Sequence, residues 1–94
     1  MDDSEWSELT LRTMRASTSP IDWPRGIAKR LGDMAPTPTG LAILDDLIRR
    51  PGATWGTRTV EEVALKVLAR SEHLRGGAEY QRLEGALAER GLLD

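Results

Sequence analysis

The residues with the strongest claim to chemistry are few. His73 is the only histidine. It stands among Arg70, Glu72 and Arg75 near the end of a helical stretch, where a lone exposed imidazole serves the helix dipole or nothing. Asp45-Asp46 and Glu61-Glu62 are carboxylate pairs. Neighbouring positions point to different sides of a helix, so the pairs read as a solvated face and an N-terminal cap, not as an acid/base dyad. The chain has no cysteine, which removes disulfides, thiolate catalysis and thiolate-bound zinc. One histidine is too few for the usual zinc ligand sets. The glycines sit at expected helix ends and lack P-loop or dinucleotide spacing. No catalytic residue, metal ligand or cofactor is expected, and the chain reads as a non-enzyme.

Binding is the better use of this residue set. The chain has three tryptophans, one tyrosine and no phenylalanine. A tryptophan buries a large area at little entropic cost and is enriched at binding hot spots. Trp55, between Gly52 and Gly56 and followed by Arg58, is the first candidate partner anchor. Trp6, with Leu9 on a short acidic helix, is the second. Trp23 falls at a helix start. The partner would be another protein or a second copy of the chain.

One local pattern suggests a different partner. Ile27, Ala28, Leu31 and Gly32 follow the order apolar, small, apolar, glycine at fixed spacing. This resembles the opening of the DNA-binding helix-turn-helix family, in which the small residue admits a second helix and the glycine makes the turn. The resemblance covers about ten residues and implies phosphate contacts from Arg25, Lys29 and Arg30. The second half departs from the family. Asp33 stands where an apolar residue is usual, Pro38 falls where a core aliphatic belongs, and Asp45-Asp46 would repel phosphate.

The elements that must position these residues are legible in outline. A chain of 94 residues makes one domain, 1–94, with residues 1–3 expected to fray. Hydrophobic residues make up 39%, enough for one modest core built from aliphatic side chains and Met. Formal net charge is −2, with residues 1–15 at −2, 16–58 at +2 and 59–94 at −2. Only the middle is mildly basic, so the whole molecule exerts no strong pull on nucleic acid or an anionic membrane. No apolar run is long enough to span a bilayer, no leader is visible, and a cytoplasmic protein is expected. Arginine outnumbers lysine eleven to two, which fits a GC-rich bacterial or phage source.

A first helix is expected over about 4–15, capped by Ser4, with Glu5 and Glu8 at its positive end and Arg12 and Arg15 at its negative end. Residues 16–20 connect it to a second helix over about 23–31, capped by Asp22 and ended by Gly32. Thr37 and Pro38 open a third helix that runs to Arg50 and stops at Pro51-Gly52. Residues 51–58 form a loop presenting Trp55. Thr59 to Glu62 reads as a capping box opening a fourth helix, with Val60, Val63, Ala64, Val67 and Leu68 at helical spacing. Gly76-Gly77 breaks the chain before a fifth helix from Ala78 to Arg90, ended by Gly91 with Leu92 folding back. The expected fold is all-α: a compact bundle of four to five short helices with a C-terminal antiparallel helical hairpin.

The function this composition favours is a small protein-interaction module. It would be an adaptor, a regulatory protein or a small subunit of a larger assembly, acting by occupying a partner surface. The alternative is a helix-turn-helix-like DNA-binding regulator using residues 24–50. A third reading is a phage-type or host-defence inhibitor of a nucleic-acid-handling complex.

Overall fold

The computed structural model describes residues 2–16, 24–49 and 57–93. Helix α1 covers Asp3–Ala16. Its cap is Asp2 and not Ser4. Asp2 Oδ1 accepts the Glu5 N–H at 2.8 Å, and the Asp2 carbonyl takes the Trp6 N–H at 3.0 Å. A carboxylate suits this position because it both satisfies an N–H group and meets the positive end of the dipole. Ser7 and Met14, two turns apart on one face, are buried, and Trp6 and Leu11 pack partly buried against the core.

Helix α2 covers Pro24–Asp33. The expected cap Asp22 and the connection around residues 17–23 lie outside the described residues. The reading of Gly32 as terminator needs correction: the helix continues through it, and the Met34 N–H still bonds the Arg30 carbonyl at 3.2 Å. Gly32 instead lies buried inside the helix, facing the next-but-one helix. A Cβ there would sit 3.4 Å from Val63 Cγ1, an ordinary van der Waals contact, so neither a left-handed turn nor a close approach calls for glycine at this position.

Helix α3 covers Pro38–Arg49. Thr37 caps it as expected, its Oγ1 accepting the Gly40 N–H at 3.0 Å. Pro38 holds the first position, where a missing N–H costs nothing. Gly40, Leu41, Ile43, Leu44, Leu47 and Ile48 are all buried. Such wide burial has a simple cause: α3 packs against every other α-helix of the described fold and is its spine.

Helix α4 covers Thr57–Ala69, a single 3-10 turn covers Glu72–Leu74, and α5 covers Ala78–Glu89. Helix α4 begins two residues ahead of the expected Thr59 cap, which places Thr59 inside the first turn. Val60, Ala64, Val67 and Leu68 are buried, as their spacing predicts. After α4 the buried Ser71 donates its hydroxyl to the Val67 carbonyl at 2.6 Å, so the turn carries no unmet polar group there. Helix α5 ends as the sequence predicts. Gly91 adopts φ +74°, its N–H reaches the Ala88 carbonyl at 3.0 Å, and the Leu92 N–H reaches the Leu87 carbonyl at 3.0 Å. This is a Schellman ending, and Leu92 packs against the core beside it.

The result is an all-α bundle. The most extensive contacts join α3 to α5 and α2 to α4, while the C-terminal pair α4 and α5 share a smaller one. The radius of gyration is 12.1 Å, close to the roughly 12 Å expected of a folded chain of this length.

Two arginines tie the helix ends together. Arg70 donates to the Gly32 carbonyl at 2.9 Å, closing the C-terminus of α2. Arg90 donates to the Ile48 carbonyl near the end of α3 and pairs with Glu61 on α4 at 3.3 Å. One side chain thus joins α3 and α4 to the end of α5. Arg90→Met keeps the aliphatic stem and removes the donors. Urea unfolding is expected to show a loss of about 1–2 kcal/mol, mostly from the charged hydrogen bond to the carbonyl and little from the exposed ion pair.

Candidate interaction surface

Helix α1 presents two neighbouring surfaces that do different work. Toward α2, Trp6 is half-buried, and the guanidinium carbon of Arg30 lies 4.6 Å from its ring centroid. The same guanidinium stands 3.7 Å from Asp3 Oδ1. Asp3 and Trp6 lie three positions apart on one side of α1, so Arg30 meets both at once. A cation over an exposed-edge indole contributes about 0.5–1 kcal/mol, and a solvent-facing ion pair of this kind less. Deeper in the same contact, the Ser7 hydroxyl points to Met34 Sδ at 4.0 Å, a weak bond that orients a buried polar group.

Away from the core, Leu9 is 48% exposed and is the sole large exposed hydrophobic side chain among the described residues. The sequence pairs Leu9 with Trp6 as one anchor. The structure separates them: Trp6 is engaged within the molecule under Arg30, and Leu9 faces solvent. Arg30, assigned by the helix-turn-helix pattern to phosphate, is already held by Trp6 and Asp3. Lys29 is exposed. Trp55, the first anchor candidate, lies outside the described residues, as do Trp23, Arg50 and the side chains of Arg25 and Arg58.

The helix-turn-helix residues have a packing explanation. Ile27, Ala28 and Leu31 belong to the buried core, and Gly32 faces Val63 of α4. Gly91 is the only positive-φ residue in the described backbone, so Gly32 makes no left-handed turn. The less buried side of α3 carries Thr39, Ala42, Asp45 and Asp46.

That side of α3 forms the floor of a groove with α1 and α5. Its volume is about 490 Å³, and Leu11, Arg15, Asp45, Asp46, Arg49 and Arg82 are among its lining residues. Asp45 and Asp46 both line it, although their adjacency suggests divergent directions. Arg49 forms an ion pair with Asp45 at 2.7 Å and donates to the Arg82 carbonyl at 3.3 Å. The bond to Asp45, reinforced by its charge, holds the Arg49 guanidinium above its ordinary pKa. Position alone assigns Arg49 to the dipole at the end of α3; its nearer partner is a side chain one turn back. The groove gathers arginines and carboxylates from separate helices, so no local motif could have revealed it. A second hollow of about 330 Å³ adjoins it, lined by His73, Leu74 and Tyr80 among others. His73 is exposed on the 3-10 turn. No three acidic or histidine side chains converge as a metal site among the described residues, and none of their helices is long and apolar enough to cross a membrane.

Comparison with protein-family models, with curated proteins and with solved structures finds no match to this chain.

Proposed function

We propose that the protein is a small helical interaction module that acts by occupying a protein surface, with the outer face of α1 as its contact. The observation that carries this reading is Leu9. Leu9 is 48% exposed, so about half of its side chain is left to solvent, while the opposite face of α1 supplies the burial of the helix through Ser7 and Met14. The leucine gains apolar burial if a second surface covers it. The proposal assigns no reaction. The polar groups of the charged groove are partly spent on each other through Arg49 and Asp45, and His73 stands apart on its own turn. Duplex DNA is the weaker reading, since Arg30 is already engaged by Asp3 and Trp6, and Asp45 and Asp46 lie on the less buried side of α3.

Leu9→Arg tests the proposal. Position 9 is outside the core, so the melting temperature and helical circular dichroism should match the wild type. Cross-linking followed by affinity capture from a lysate of the source organism should then lose a specific bound protein that the wild type retains. Equal capture by both proteins would overturn the assignment of α1.

A further inference from the structure

The charges around Leu9 specify what kind of surface covers it. Glu5, Leu9, Arg12 and Ala16 follow the spacing i, i+4, i+7, i+11 and form one stripe along α1, directly opposite the buried Ser7 and Met14. All four are exposed. Leu9 lies at the middle of this 14-residue helix. On its N-terminal side stand Asp2, Asp3, Glu5 and Glu8, and on its C-terminal side Arg12 and Arg15. Asp3 is the member of this set that an ion pair engages, through Arg30. Glu5 and Arg12 take part in no ion pair among the described residues.

A surface that is acidic at one end, apolar at its centre and basic at the other is complementary to itself when turned end for end. We propose that the occupant of the α1 face is a second copy of this chain, packed antiparallel across a two-fold axis beside Leu9. The two Leu9 side chains meet at the axis. Residues equally distant from it face one another, so Glu5 of each copy lies opposite Arg12 of the other. A parallel arrangement would set acid against acid and base against base. Such self-complementarity is what a two-fold homodimer requires. The inference rests on the reading of α1 as the contact surface and adds the identity of the partner.

The size of the face sets the strength. Helix α1 is about 21 Å long. Two such helices meeting along one stripe bury less than the roughly 800 Å² per partner of a standard stable interface. The dimer is therefore weak, forming in the micromolar to millimolar range, and its ion pairs make it sensitive to salt.

Charge reversal across the pair tests this. Sedimentation velocity over a concentration series at low salt should show reversible dimerisation of the wild type. Glu5→Arg sets a new guanidinium against Arg12 of the other copy, and Arg12→Glu sets a new carboxylate against Glu5. Each variant alone should self-associate at least about tenfold more weakly, since two exposed attractive pairs become repulsive. Mixed together, the two variants should form a heterodimer. One copy then carries arginine at both positions and the other glutamate at both, so every facing pair is again opposite in charge. That mixture contains the same substitutions as its components, so a folding defect cannot explain weak singles and a strong mixture. A wild type that stays monomeric, single variants that dimerise as the wild type does, or a mixture that fails to associate would each overturn the inference. The wider assignment of α1 is judged separately by the Leu9→Arg capture experiment.

Discussion

Leu44→Ala is expected to destabilise the protein by about 2–5 kcal/mol, the range seen when a fully buried leucine is truncated. Leu44 has 0% exposure and sits on α3, which packs against the four other α-helices among the described residues. The truncation loses the transfer free energy of the removed carbons and leaves a space that helices held on several sides cannot close. A domain of this size has a stability of roughly 5–15 kcal/mol, so the loss is a large share of the total. At about 4–8 °C per kcal/mol, the melting temperature should fall by at least about 8 °C. Ala42→Ser, on the less buried side of the same helix, should change stability by no more than about 0.5 kcal/mol. Chemical denaturation of the two variants separates the core role of α3 from a general sensitivity of that helix. A loss below about 1 kcal/mol for Leu44→Ala would show that α3 is not the spine of the bundle.

The position of α3 explains which parts of the fold are legible in the sequence. Its start is readable because it depends on local chemistry: a Thr37 hydroxyl for an N–H group and a proline where no donor is needed. The Gly91 ending is readable for the same reason, as only a residue tolerant of positive φ fits there. The cap of α1 is not, because Asp2 and Ser4 are both competent caps and local preference alone cannot choose between them. Gly32 misleads for a different reason. A glycine near the end of an apolar stripe looks the same whether it turns the chain or continues the helix against a neighbour. The neighbour is Val63, 31 positions later, and only tertiary packing brings it there.

The candidate surface divides in the same way. Leu9 and Trp6 are identifiable as side chains beyond the needs of a short helix. That Trp6 is engaged and Leu9 free depends on Arg30, which arrives from α2. The polarity of α1, acids before Leu9 and arginines after it, is visible as dipole complementarity. Its second meaning, a face that matches itself in reverse, requires knowing that Glu5, Leu9 and Arg12 all point away from the core. The charged groove has no sequence signal, since Arg15, Arg49 and Arg82 come from three separate helices.

Ala28→Leu is expected to cost about 1–3 kcal/mol by overpacking, and it addresses the residue that most invites a DNA-binding reading. In that reading the small side chain at position 28 prepares a recognition helix. In the structure Ala28 has 0% exposure, and α2 packs extensively on α4, with Gly32 one turn further on facing Val63. A leucine at position 28 adds three carbons to a filled space, so α2 and α4 must separate or adopt poor rotamers. Separation would also stretch the bond from Arg70 to the Gly32 carbonyl. Arg70→Met should therefore be less costly in the Ala28→Leu background than in the wild type, because that bond is already weakened there. A double-mutant cycle in urea measures this coupling directly. Additive effects would mean that α2 and α4 accommodate the leucine without moving at Gly32. Coupling of the expected sign would tie Ala28 and the Gly32 carbonyl to the packing of α2 against α4, the role that burial gives Ile27, Ala28 and Leu31.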